Sequence, residues 1–285
     1  MSNYTPSVNI IRDFDKALHY IPTANSKRVF DQIVEGYNIG LHSFTIIGSY
    51  GTGKSSFLWA LEQNFRQAEP YFSEEKSWFS GFSKFEFINL VGSYHSLESA
   101  FSKKLSLKKD ENALVAIDSR IEKANKQGKF VFLILDEFGK HLEFAVKNDP
   151  EKELYFIQEL AELINDPNRK VVFISTLHQG FQSYGQGLSN EQRKEWEKVK
   201  GRLKELTFNE PVEQLLQLAA SHLGGIEGKA TKEQAKFSNS IEKSKLLPLS
   251  FESYKEVSKS LYPLDLLAAG CLTLALQRYG QNERS

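Results

Sequence analysis

Two hydrophobic periods divide the chain. Up to about residue 208, short apolar runs suited to strands alternate with stretches whose apolar residues recur at helical spacing. After that only the helical period remains. The strand-like runs are FTII at 44–47, FEFINL at 85–90, FVFLIL at 130–135, VVFI at 171–174 and a fifth at 203–208. FVFLIL has no polar interruption, which predicts a central strand covered on both faces. Between these runs, 54–65 reads as a helix following a glycine-rich turn. Residues 151–165 place Leu154, Ile157, Leu160, Ala161 and Ile164 on one helical face before Asn165-Asp166-Pro167 stops it. Alternation of this kind predicts a three-layer α/β domain with a mainly parallel, five-stranded sheet.

Pro211 suits the first turn of a helix, and four helices are expected after it, at 212–223, 231–243, 251–261 and 264–279. The expected division is therefore an α/β domain at 1–208 and a small all-helical domain at 209–285. The sequence has no internal repeat and no low-complexity linker, and the lysine-rich stretch 103–109 reads as solvated surface.

Composition narrows the classes. The 285 residues are 40% hydrophobic, enough to exclude global disorder. With 36 basic and 36 acidic side chains the net charge is zero, so whole-molecule attraction to nucleic acid or an anionic membrane is absent. Nucleic-acid binding would need a local basic patch. The N-terminal residues are polar and charge-dotted, unlike a signal peptide. The most apolar run, 261–276, is broken by Pro263 and Asp265 and falls short of the roughly 18 residues a membrane span needs. A soluble cytoplasmic protein is expected. The single cysteine, Cys271, sits in that apolar helical run and reads as a buried structural residue.

The chemistry begins at Gly48-Ser49-Tyr50-Gly51-Thr52-Gly53-Lys54-Ser55, which matches G-x-x-x-x-G-K-[ST] at every fixed position between a strand and a helix. In such a loop successive backbone N–H groups turn inward on a phosphate. Gly51 and Gly53 permit torsions and a close approach that a Cβ would obstruct, and the helix starting near Lys54 aims its positive end at the same anion. Ser49, Thr52 and Ser56 complete the loop and first turn. Lys54 would reach the β- and γ-phosphates, and the Ser55 hydroxyl would coordinate Mg²⁺. A chance match in a chain of this length arises on the order of 1% of the time. No N-K-x-D guanine-reading string is present, which favours ATP.

FVFLIL runs straight into Asp136-Glu137. Carboxylates at the tip of a buried parallel strand face the crevice where open α/β sheets bind ligands. Asp136 is placed to hold Mg²⁺ and Glu137 to activate water as a general base. The second acid favours hydrolysis over binding alone.

These motifs, with the later helical segment, resemble the AAA+ superfamily of P-loop ATPases, in its branch near origin-recognition and STAND proteins. More narrowly, DEFGKHLEF (136–144), STLHQGF (175–181) and RYGQNERS (278–285) look like the large ATPases of bacterial phage-defence islands, BREX-type systems among them. The resemblance runs from about residue 20 to the end. It implies a sensor residue at the tip of VVFIS, where Thr176 is preferred over Ser175 and where His178 and Gln179 remain open. It also implies an arginine finger at Arg202 acting on a neighbouring subunit's nucleotide, and a lid arginine at Arg284 reaching the γ-phosphate in the same subunit. Tyr20 and Ile21 match the positions that pack the adenine. The implied partners are further copies of the chain and an effector protein. In the large defence ATPases the GQNER string is followed by a further apolar helix and much more protein. Here it closes the sequence, so an N-terminal module of a longer protein and a small stand-alone ATPase are both open.

Two other functional classes stay open beside hydrolysis, a slow nucleotide-gated switch or scaffold and a DNA-handling motor or loader. The aromatics of 71–87 read as packing rather than as a stacking platform for single strands, because Glu74 and Glu75 cancel Lys76 and Lys84. His141, His178 and His222 lack metal-ligand spacing.

Overall fold

The structure is a computed structural model, and it describes residues 8–66, 70–72, 78–223, 232–245, 257–258, 260–261 and 264–279. Five strands, β1 (Ser43–Ile47), β2 (Lys84–Val91), β3 (Lys129–Asp136), β4 (Val171–Leu177) and β5 (Lys204–Thr207), form one sheet in the order β2-β3-β4-β1-β5. Every pairing is parallel. Helices α1 (Ala24–Asn38), α2 (Lys54–Phe65), α3 (Leu97–Lys104), α4 (Ala113–Lys126), α5 (Gly139–Asn148), α6 (Pro150–Ile164), α7 (Phe181–Tyr184) and α8 (Asn190–Arg202) connect them. With α9 (Val212–Leu223), α10 (Lys232–Ser244) and α11 (Leu266–Tyr279) after the last strand, this is the three-layer α/β P-loop fold followed by a helical part.

The alternation of a β-strand's side chains explains the layers. On β3, Phe130, Phe132 and Ile134 join α1 and α2 in one core, with Phe44 and Ile46 of β1 and Val172 and Ile174 of β4. Val131, Leu133 and Leu135 point the other way, into a second core built on α3 to α6 and α8. Both sets are buried, and that is why the run is continuously apolar. Polar side chains also pair inside the sheet. Thr45 Oγ1 and Ser175 Oγ are 2.9 Å apart on neighbouring strands, each satisfying the other.

Helix α2 is buried on most of its circumference, from Phe57 to Leu61 and at Phe65. Its outer side is covered by the N-terminal segment, where the Trp59 indole donates to the Asp13 carbonyl at 3.0 Å and Gln63 donates to that of Phe14 at 2.5 Å. The described aromatics of 71–87 pack into the same core. Phe79 is fully buried against Phe130 and Phe132, and Phe87 stacks on Phe132 at 4.7 Å.

The chain separates into two compact units, Met1–Gly48 with Gly53–Phe208, and Ser49–Thr52 with Asn209–Ser285. The second has its own small core, including Leu216, Ala220, Ile241, Val257, Leu261 and Leu266. Cys271 corrects the sequence reading: it is exposed, because α11 buries Leu266 and Ala269 and turns Cys271, Leu272 and Leu274 outward. An apolar helix with this little periodicity gives no sign of which face is covered. The expected helix at 251–261 lies mostly outside the described residues. Among the described residues no helix is long and apolar enough to cross a membrane.

Candidate functional site

The parallel order puts the C-terminal tips of β1, β3 and β4 side by side, with β4 in the middle. From β1 the chain enters the 48–53 turn. Gly51 and Gly53 have φ of +74° and +89°, a region that L-residues with a Cβ rarely adopt. Thr52 Oγ1 donates to the Ser49 carbonyl at 2.9 Å and holds the turn together. Gly53 is the N-cap of α2, and no side chain caps the helix, so the N–H groups of its first turn face a ligand position without a capping competitor. Ser56, in that first turn, is half-buried.

Lys54 is buried, and its Nζ donates to the Gly48 carbonyl at 2.5 Å. The same Nζ lies 3.3 Å from His178 Nδ1. Burial pulls the Lys54 pKa from 10.5 down to about 8, against the opposing attraction of Asp136 and Glu137. An ammonium set into a crevice at this cost suits an anionic ligand.

Asp136 ends β3 and is 3% exposed. Burial raises its pKa, while hydrogen bonds from the Thr176 and Ser55 hydroxyls act in the other direction. The Thr176 bond is 2.6 Å to Oδ1, and the same hydroxyl accepts the backbone N–H of Glu137 at 2.9 Å. Strand parity explains why Thr176, and not its neighbour, meets Asp136. Thr176 follows Val172 and Ile174 on the α2 side of the sheet, as Asp136 follows Phe132 and Ile134, whereas Ser175 faces the opposite layer and bonds Thr45. Ser55 and Asp136 together offer a hydroxyl and a buried carboxylate, a hard oxygen pair of the kind Mg²⁺ takes, so the donor set fits that ion.

Glu137 adopts φ of +56°, uncommon for a residue with a side chain. Three contacts hold it there. Thr176 takes its N–H, Lys140 pairs with its carboxylate, and its carbonyl packs on Gly92 just past the end of β2. A Cβ on Gly92 would lie 1.9 Å from the Glu137 carbonyl oxygen, and the Gly92 N–H already donates to the Asp136 carbonyl at 2.7 Å. Sequence reasoning overlooked Gly92 and Lys140. For Gly92 the signal was a glycine directly after an alternating strand, a frequent mark of close backbone approach.

The structure thus brings together Gly48, Lys54, Ser55, Asp136, Glu137 and Thr176, with His178 beside Lys54. Gln179 is exposed. Arg202 is not part of the group. It ends α8 ahead of β5, at the N-terminal edge of the sheet, where it pairs with Glu162 and donates to the Lys198 carbonyl at 3.1 Å. Tyr20 packs edge-on against Tyr71 at 5.5 Å and Phe72 at 6.4 Å, and Ile21 is half-buried beside it. Arg284 lies outside the described residues.

No family model and no curated protein matches the chain. Among solved structures it is similar to an Aeropyrum pernix ORC2 protein described as ADPNP–ADP complexes, at 15% identity and a TM-score of 0.46 over 88% of this chain and 72% of that one. It is also similar to Cdc6p from Pyrobaculum aerophilum, at 13% identity and a TM-score of 0.40 over 74% of this chain and 52% of that one. For C. elegans PCH-2 the values are 14% and 0.40, over 92% and 72%.

Two predictions follow from the geometry. Gly92→Ala forces a Cβ against main-chain atoms that cannot rotate away, so urea unfolding should show a loss of about 2–4 kcal/mol, and a change within about 0.5 kcal/mol would contradict the packing described. Lys54 gives a pH signature. Because its folded pKa is depressed, the unfolded chain binds more protons between about pH 8 and 10.5, and stability rises with pH through that window. Below it the buried charge costs about 3 kcal/mol. The stability advantage of Lys54→Met over the parent protein should therefore be largest below pH 8 and shrink toward pH 10, and a difference independent of pH would refute it.

Proposed function

We propose that the chain is an AAA+-like P-loop ATPase that binds ATP with Mg²⁺ and hydrolyses it at the cluster around Lys54 and Asp136. The observation that carries this reading is the hydrogen-bonded set Ser55–Asp136–Thr176–Glu137 beside a buried ammonium, at the strand tips next to a glycine turn. A hydroxyl and a carboxylate for a metal, a cation for phosphate and a second carboxylate for water are the parts that phosphoryl transfer to water requires.

The backbone N–H groups of 48–55 bind the phosphates, and the Lys54 ammonium binds the β- and γ-oxygens. Mg²⁺, held by Ser55 and Asp136, would supply Lewis-acid charge to the phosphoryl oxygens. The Glu137 carboxylate takes a proton from the attacking water as its oxygen bonds to the γ-phosphorus. ADP departs with the bridging oxygen, and the proton returns to the phosphate product. Thr176 spends its own proton on Asp136 and its lone pair on the Glu137 N–H, so its part is to fix the two acids relative to each other.

The resemblance of 136–144 and 175–181 to defence-island ATPases supports placing this activity in a bacterial anti-phage assembly with an effector partner. The broader resemblance to AAA+ ATPases supports Arg202 acting on the nucleotide of a neighbouring copy, for which it would have to leave Glu162. Under this reading residues 209–285 are the lid that carries Arg284, and Tyr20 and Ile21 flank the adenine. One observation favours a second reading, a slow nucleotide switch: Lys140 occupies the Glu137 carboxylate that hydrolysis needs.

Steady-state Mg²⁺-ATP turnover across a protein concentration series tests the reading. Lys54→Ala should lower ATP affinity at least about tenfold, and Glu137→Gln should keep ATP affinity within about threefold while turnover falls about 100-fold or more. Specific activity that rises with concentration would support sites completed between copies. Tight ATP binding with negligible parent turnover at every concentration would replace hydrolysis with the switch. Turnover unaffected by Glu137→Gln would remove that residue from the mechanism.

A further inference from the structure

We infer that His178 is a positioning residue for the phosphate-loop lysine: its neutral imidazole, protonated on Nε2, accepts an N–H of Lys54 through Nδ1 and fixes where the ammonium charge sits. The functional consequence rests on the ATPase reading above, whereas the protonation assignment does not.

Lys54 Nζ has protons to give and no lone pair to offer, so the 3.3 Å contact with His178 Nδ1 is a hydrogen bond only if Nδ1 is the unprotonated nitrogen. The proton of a neutral ring must then sit on Nε2, which is buried. The surroundings keep the ring neutral. Burial and the nearby charges of Lys54 and Lys140 pull its pKa down to about 3, so an imidazolium is disfavoured throughout the physiological range.

The support behind the ring is rigid. Leu177, the last residue of β4, is in register with Ile47 of β1, and its carbonyl accepts the Gly48 N–H at 3.1 Å. His178 is the next residue, so its main chain is tied to the first residue of the phosphate turn. Lys54 consequently has acceptors on both sides, the Gly48 carbonyl at 2.5 Å and the imidazole of β4's continuation at 3.3 Å. A long, flexible ammonium in a buried crevice would otherwise distribute over several rotamers. A fixed acceptor on a strand end reduces that freedom, and the charge is in place before the transferred phosphoryl group develops its own.

A histidine that merely filled space would behave differently under substitution. His178→Asn places an amide oxygen close to where Nδ1 sits, His178→Leu fills the volume without an acceptor, and His178→Ala does neither. The expected outcome is a kcat about tenfold lower for the Leu and Ala variants, with KM for ATP within about threefold, and recovery of most of that loss by Asn. Rescue by Leu and not by Asn, or parent-like kcat in both Leu and Ala, would overturn the inference. A second readout needs no activity. In ¹⁵N-histidine-labelled protein at pH 7, the signals that His178→Asn removes should report a neutral ring protonated on Nε2. A ring protonated on Nδ1, or on both nitrogens, would overturn the assignment whatever the kinetics of the Leu and Ala variants show. Failure of the parent protein to bind nucleotide would remove the ATPase reading and leave the ring assignment standing.

Discussion

The Thr176 hydroxyl sits on the strand between the one that feeds the glycine turn and the one that ends in two acids, and it bonds to both acidic residues at once. It can do so because β4 lies between β1 and β3, with its tip level with both. One oxygen gives its proton to Asp136 at 2.6 Å and accepts the Glu137 N–H at 2.9 Å. Asp136 in turn bonds Ser55 at the start of α2. Ser55 and the pair 136–137, distant along the chain, are thereby joined through the buried side chains of Asp136 and Thr176. Gly92 makes the same arrangement possible from the other flank, because any larger residue would push the Glu137 carbonyl out of place.

This site is held at a cost to the fold. A buried ammonium, a buried carboxylate and a side-chain-bearing residue at positive φ each oppose folding on their own. The two hydrophobic layers offset that cost. Rings from α2, β2 and β3 interlock on one side of the sheet, and aliphatic and aromatic side chains of α3 to α6 and α8 cover the other. Strain and unfavourable charge concentrated at three strand tips over an otherwise regular core is the pattern expected where a fold has been shaped for ligand chemistry.

Much of this was legible from residue pattern. The uninterrupted FVFLIL run predicts a strand buried on both faces, and β3 alternates its side chains between the two cores. The glycine turn predicts positive torsions, and Gly51 and Gly53 have them. That Thr176 rather than Ser175 would meet Asp136 was readable in principle, since parity along VVFIST puts only one of them on the α2 side. What stayed hidden depends on contacts distant in sequence. Gly92 touches Glu137 across 45 positions, and His178 reaches Lys54 across 124. No periodicity encodes such meetings. Cys271 was misjudged for a related reason, because an apolar helix does not announce which of its faces is covered.

The most direct test of the central claim is Thr176→Val, which removes one hydroxyl at nearly constant volume. Mg²⁺-ATP affinity by calorimetry and turnover should be measured on the same preparation. If the hydroxyl sets the spacing of the two acids, ATP affinity stays within about threefold of the parent while turnover falls at least about tenfold. Turnover equal to the parent's, in a folded protein that binds ATP normally, would contradict the account.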